Sequence, residues 1–278
     1  MKSTANTGTL FILTVLGCLA AGCAERDGQG HACDVAVTNS YLACAVRDVC
    51  GPEVEILCLA PAGMCPGHFD ISPAQVSQLR SCRMLLLFDF QQKVEEALAR
   101  LKDNGLQTYL IQTPPGLCVP QTYLAACEQT AELFAREYPD RAAEFEQRLP
   151  AIRARLETLS KELKTAVADV DASGAEALTS NHQAKFCEWL GLEPVATFIG
   201  SDVETMANID HCLKLAAGRE IRFVIANQQE GTALAVALAE RLEARAVVFS
   251  NFPSAEEGEG FDRLLRDNVR ALTEAAAQ

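Results

Sequence analysis

The sequence predicts an α/β protein: two small lobes, each a doubly wound parallel sheet, joined by one long backbone helix. Three observations predict it. Short apolar runs alternate with helix-length segments through residues 34–111 and again through 177–276, the βαβα order of a parallel sheet flanked by helices. Between these halves, residues 145–170 place Phe145, Leu149, Ile152, Leu156, Leu159, Leu163, Val167 and Val170 at steps of three and four, one face of a helix. From Pro150 to Val170 such a helix spans roughly 30 Å, about the width of a small domain. Finally, 278 residues suffice for one large or two modest domains, each able to bury its own core; the alternative to two lobes is a long helix packed on the side of one larger domain. The expected boundaries are 33–139 for the first lobe, 140–171 for the linking helix and 172–278 for the second lobe.

In the first half, strands are expected at 34–38, 54–59, 84–88 and 108–111. Residues 84–88 read Met-Leu-Leu-Leu-Phe, the uninterrupted apolar run of a strand buried on both faces. Helices are expected at 40–49, 72–79, 91–101 and 121–137. The second of these opens on Ser72-Pro73, a good N-cap followed by a residue suited to N1. Turn-rich loops at 60–68 and 113–120 interrupt the alternation. In the linker, Pro150 either kinks the helix or stands at N1 of a second one. The second half predicts strands at 177–179, 195–198, 221–226 and 246–249. Its helices are expected at 182–190, 203–217, 231–242 and 261–276.

Charge and leader narrow the function. A net charge of −13 argues against nucleic acid, whose phosphates need Lys and Arg. Lys2 precedes an apolar run at 10–21 that is too short to span a bilayer as a helix. The run closes on Leu19-Ala20-Ala21-Gly22-Cys23, which resembles a bacterial lipoprotein cleavage box, with Cys18 a competing site. Residues 1–22 therefore read as a signal peptide, Cys23 as the lipid attachment and 23–32 as a polar tether. The mature chain is expected in the periplasm or on the outer face of the cytoplasmic membrane, touching the membrane through its anchor only. Twelve cysteines in such a compartment point by default to disulfides. Cys44, Cys50, Cys127, Cys187 and Cys212 fall on or beside helices, where burial and bridging both stand open.

In doubly wound sheets ligands collect at the carboxyl ends of strands, so the loops there are the places to search. Cys65 and His68 follow the second strand at C-x2-H spacing, Cys118 follows the fourth, and His182 follows the first strand of the second half. Two thiolates and two imidazoles suit tetrahedral zinc and also copper(I). Cys65 can instead pair with Cys58 or Cys82, Cys118 can be half of a bridge, and His182 can cap its helix. Glu230 is a further carboxylate candidate or the polar start of a helix. An enzyme is not expected. Cys118 with His182 as nucleophile and base lacks a third orienting group, and no G-x-x-x-x-G-K phosphate loop is present.

From about residue 35 to residue 275 the chain resembles the zinc- and manganese-binding solute-binding lipoproteins of bacterial ABC transporters. The resemblance is best in Gly63-Met64-Cys65-Pro66-Gly67-His68-Phe69-Asp70-Ile71-Ser72-Pro73 and in Thr179-Ser180-Asn181-His182-Gln183-Ala184. It implies two α/β lobes with an ion held between them, and a monomer that delivers the ion to an ABC permease in the inner membrane. In the first-ligand loop the family usually has Asp-Pro-His, where this chain has Cys65-Pro66-Gly67, and His68 comes one place later. Cys118 stands at the second histidine and His182 at the third. Asn251 stands where an aspartate is common, and the family's histidine-rich loop is missing. The shift toward sulfur and away from carboxylate favours zinc, with copper(I), manganese and iron as alternatives. Two other readings stand beside this one: a corrinoid- or haem-binding protein of the same build, and a thiol-based redox or metal-storage protein.

Overall fold

The centre of each sheet is built by its most apolar strands. In this computed structural model, which describes residues 33–64, 71–91, 94, 96, 98, 105–200, 204–254 and 260–278, β1 (Cys33–Val37) lies between β2 (Ile56–Cys58) and β3 (Cys82–Phe88). β4 (Gln107–Ile111) pairs outside β3, and all neighbours run parallel. Val35, Val37, Met84, Leu86 and Phe88 turn to one face and Ala36, Leu85 and Leu87 to the other, all fully buried; a period of two with both faces covered makes such strands continuously apolar. The second sheet has the order β6 (Glu193–Phe198), β5 (Glu176–Ser180), β7 (Phe223–Asn227), β8 (Arg245–Phe249), again all parallel. Each lobe thus winds outward from its first strand, then reverses between the first and third. Loops after those two strands flank the crevice where ligands collect in such sheets.

The helices are α1 (Ser40–Cys50), α2 (Pro73–Leu79), α3 (Pro120–Glu137), α4 (Ala142–Asp169), α5 (Ala184–Leu190), α6 (Met206–Ala216), α7 (Ala233–Leu242) and α8 (Gly260–Ala276). Ser72 and Gln75 form a reciprocal capping box at the start of α2, with Pro73 at N1, as the sequence leads one to expect. Of the helix expected at 91–101, only residues 91, 94, 96 and 98 are described.

The linker is one helix of 28 residues, about 42 Å long at the standard rise. Pro150 lies inside it, so no second helix starts there. Phe145, Ile152, Leu156, Leu159, Leu163 and Val167 form its buried face, with Leu149 and Val170 at the margin of the same core.

The expectation of a separate core for each lobe does not hold. One cluster of buried side chains contains Val35, Met84 and Tyr123 of the first lobe, Leu156 and Leu163 of α4, and Phe186, Phe249 and Leu265 of the second. Among the described residues, only the opposite sheet faces carry private clusters, around Leu85 and Leu87 in one lobe and Val224 and Leu238 in the other. The apolar faces of α1, α3, α5 and α8 all need cover, and α4 is long enough to serve both lobes. Phe261, in the first turn of α8, stacks on Tyr123 of α3 at 3.8 Å between ring centroids and meets Tyr41 of α1 edge-on at 5.6 Å. Beside it, Arg155 of α4 pairs with Asp48 of α1 and lies 3.3 Å from Asp262 of α8.

Cys50, Cys127, Cys187 and Cys212 are buried free thiols, so for these four burial prevails over bridging. Burial pushes the Cys50 thiol up to about 12, which makes it inert. Cys82 is disulfide-bonded, and the β1–β3 register sets Cys33 directly opposite it.

Candidate functional site

The carboxyl ends of the two sheets meet across a polar seam. Ser40 Oγ donates to the Pro253 carbonyl at 2.8 Å, Gln229 Nε2 donates to the Gly63 carbonyl at 2.8 Å, and Cys118 Sγ donates to the Ser250 carbonyl at 3.1 Å. Ser40, Gly63 and Cys118 follow β1, β2 and β4. Gln229 follows β7, and Ser250 and Pro253 follow β8. Every side of the seam is therefore a segment that follows a strand's carboxyl end.

Cys118 is delivered by a tight turn. The Val119 amide donates to the Gly116 carbonyl at 2.9 Å, and Pro120 then opens α3 at N1. Gly116 has φ +95°, and a Cβ there would lie 2.8 Å from the Lys185 Cβ of α5. Only glycine meets both demands. The loop consequently packs on the other lobe, with Cys118 fully buried. Its Sγ lies 3.1 Å from the Ser250 carbonyl and 3.5 Å from Asn251 Oδ1, and it receives Asn268 Nδ2 at 3.6 Å. Asn268 also donates to the Ser250 carbonyl at 2.9 Å and accepts from the Ser250 amide at 2.8 Å, which fixes that peptide. Burial pushes the Cys118 thiol well above its ordinary value, against the downward pull of the Asn268 hydrogen bond. The thiol is therefore a protonated donor here, and an ion that binds it must displace the proton. Once the proton leaves, the Ser250 carbonyl loses its Cys118 donor, and the sulfur is left facing Asn251 Oδ1 at 3.5 Å.

His182 stands at the other end of the seam. β5 ends at Ser180, and the Gln183 amide returns to the Ser180 carbonyl at 2.9 Å. That turn delays α5 to Ala184, two residues after the expected start, so His182 lies in a loop and does not cap the helix. Its Nδ1 lies 2.5 Å from Glu230 Oε1, and its side chain is 58% exposed. Ser180 Oγ donates to Glu230 Oε2 at 2.7 Å. Gly200 permits this approach, because a Cβ there would collide with Glu230. The Glu230 hydrogen bond raises the His182 pKa against the opposing effect of desolvation. Burial alone would raise Glu230, but the hydrogen bonds from His182 and Ser180 outweigh it and hold the carboxyl below its ordinary value.

A chain of carboxamides connects the two ends. Gln183 Nε2 donates to Asn227 Oδ1 at 3.2 Å and to Asn251 Oδ1 at 3.1 Å. Gln229 accepts from the Asn251 amide at 3.1 Å and donates to Ser250 Oγ at 2.9 Å. The structure thus brings Cys118 together with Asn251, and His182 together with Glu230. Cys65, His68 and Cys23 lie outside the described residues. Among the described residues, no group of three or more His, Cys, Asp or Glu side chains converges as a metal cluster. Sequence reading missed Gln183, Asn268 and Ser40 as site residues. Uncharged amides and hydroxyls carry no ligand signature; position just after a strand was the available signal for Gln183 and Ser40, and Asn268, inside α8, had none.

A family model described as the periplasmic component A of zinc-uptake complexes matches residues 118–275. Among solved structures, the chain is similar to a manganese-bound periplasmic metal binding protein from Candidatus Liberibacter asiaticus, 14% identical with a TM-score of 0.72, covering 87% of this chain and 98% of that one. The cadmium-bound form of that protein gives the same identity, coverage and TM-score. A crystal structure of ZnuA is 17% identical with a TM-score of 0.71, covering 88% of this chain and 99% of that one. At these identities the structural likeness shows the fold. No curated protein matches the chain.

Proposed function

This chain belongs to the family of periplasmic component A proteins of zinc-uptake complexes, and from that membership we propose that it captures a transition-metal ion between its lobes and hands it to an ABC permease. The observation that carries the proposal is the position of Cys118. A thiol from the first lobe stands 3.1 Å and 3.5 Å from oxygens of Ser250 and Asn251 in the second, at the meeting of two sets of carboxyl ends.

The cargo we propose is zinc. The proposed donors are Cys118 and His182, with Cys65 and His68 supplied by the loop after β2 and Asn251 as a neutral oxygen. Sulfur and imidazole suit zinc or copper(I), whereas manganese prefers an oxygen-rich set. Glu230 serves better as the orienting partner of His182 than as a ligand, because both its oxygens are engaged, one with His182 and one with Ser180. With Nδ1 held by that carboxylate, Nε2 is the nitrogen left for an ion, and the carboxylate strengthens the imidazole as a donor. Lipidation at Cys23 would keep the carrier at the membrane where its permease resides.

Competitive titration of zinc and manganese against a chromophoric chelator tests the proposal. The wild type should prefer zinc, and Cys118→Ser and His182→Ala should each lose more than about a hundredfold in zinc affinity. Wild-type zinc affinity in both variants would place the site elsewhere.

A further inference from the structure

Gln183 is fully buried at the start of α5. Its amide nitrogen is committed twice, to Asn227 Oδ1 at 3.2 Å and to Asn251 Oδ1 at 3.1 Å. That commitment fixes which end of the amide is which. Exchanging oxygen and nitrogen would set a carbonyl oxygen against two acceptor oxygens and remove the donor that Gln183 gives each of them. In the fixed orientation, Gln183 Oε1 is buried and has no hydrogen-bond partner among the described residues. A buried acceptor without a donor is costly, and folded proteins seldom keep one unless something else supplies the partner.

Its surroundings indicate what the partner is. Asn251 Oδ1, which accepts from Gln183, is also the oxygen that faces the Cys118 thiol at 3.5 Å. The Gln183 amide thus holds that carboxamide beside the thiol. We propose that Gln183 is a selectivity residue of this site, which positions Asn251 and offers its own carbonyl oxygen to the cargo ion. The proposal rests on the metal-carrier reading above. A neutral amide oxygen is a hard donor, so it supports oxygen-preferring manganese more than zinc, which thiolate and imidazole already satisfy. Gln183 therefore tempers the softness of the sulfur-containing set.

The test is the ratio of zinc to manganese affinity, measured by competitive titration for the wild type, Gln183→Met and Gln183→Glu. Gln183→Met keeps most of the volume and removes both polar atoms. It should lose about tenfold more manganese affinity than zinc affinity, the scale expected when a supporting group of a metal site is removed. Gln183→Glu supplies a charged hard oxygen and should move the ratio the other way, toward manganese. A purely structural role would weaken both ions alike, so a Gln183→Met ratio within about twofold of wild type overturns the proposal. If Gln183→Met does not fold, Gln183→Glu decides: an unmoved ratio, or one shifted toward zinc, overturns it. A wild type that binds neither ion overturns the carrier reading and this inference with it. Wild-type binding with an unmoved ratio overturns this inference alone.

Discussion

As the proposed ligands, Cys118 and His182 would each bind protons in competition with a metal ion, for different reasons. Burial raises the pKa of the Cys118 thiol, while the Glu230 hydrogen bond raises that of His182. Zinc binding at neutral pH should therefore release the Cys118 proton in full and a growing share of the His182 proton as pH falls. Apparent affinity should drop over the same range. Calorimetric titration in buffers of different ionisation heat reads both quantities. In Glu230→Gln the histidine should return toward about 6.5, and the step in proton release should move to lower pH. An unmoved step would show that Glu230 does not govern His182. The stability of the metal-free protein runs the other way. The raised His182 pKa gives stability that is present below the ordinary imidazole value and is lost as pH rises through the raised one. The lowered Glu230 pKa gives stability that is present above the ordinary carboxylate value and is lost as pH falls through the lowered one. The pair thus favours the empty fold most between roughly pH 4.3 and 6.5, below the range where the metal is held best.

At the scale of elements, the first turn of α8 fastens one lobe to the other. Phe261→Ala removes a fully enclosed ring that touches Tyr41 and Tyr123, and should cost about 3–5 kcal/mol of stability by urea unfolding. A loss below about 1 kcal/mol would mean that the lobes are held elsewhere. All eight strands stand where alternation in the sequence expects them, within a residue or two at each end, because short apolar runs between turn residues leave few other options. The stripe on α4 was equally legible, since its period survives Pro150. Local pattern could not reveal the carboxamide chain. Cys118 and Asn251 lie 133 positions apart, and Gln183 and Asn251 lie 68 apart. Nothing in an isolated Gln or Asn distinguishes a buried hydrogen-bonding partner from a solvated surface group. His182 stood out as a candidate because imidazole is distinctive chemistry, and its start-of-helix assignment failed because the Ser180–Gln183 turn postpones α5.

At the scale of the molecule, the shared core makes the two lobes one cooperative object. Residues 33–278 should unfold in a single calorimetric transition whose calorimetric and van't Hoff enthalpies agree. Two resolved transitions would refute the shared core, and excess zinc should move the single transition upward as the ion concentration rises. The same core bears on whatever receives the ion. With α4 packed along both lobes and α8 pinned to α1 and α3, the carrier should keep nearly one outline whether empty or full. A permease meeting it can read only small differences at the seam. Empty copies should then queue for the same dock as full ones, and above some abundance an excess of carrier would slow uptake instead of speeding it.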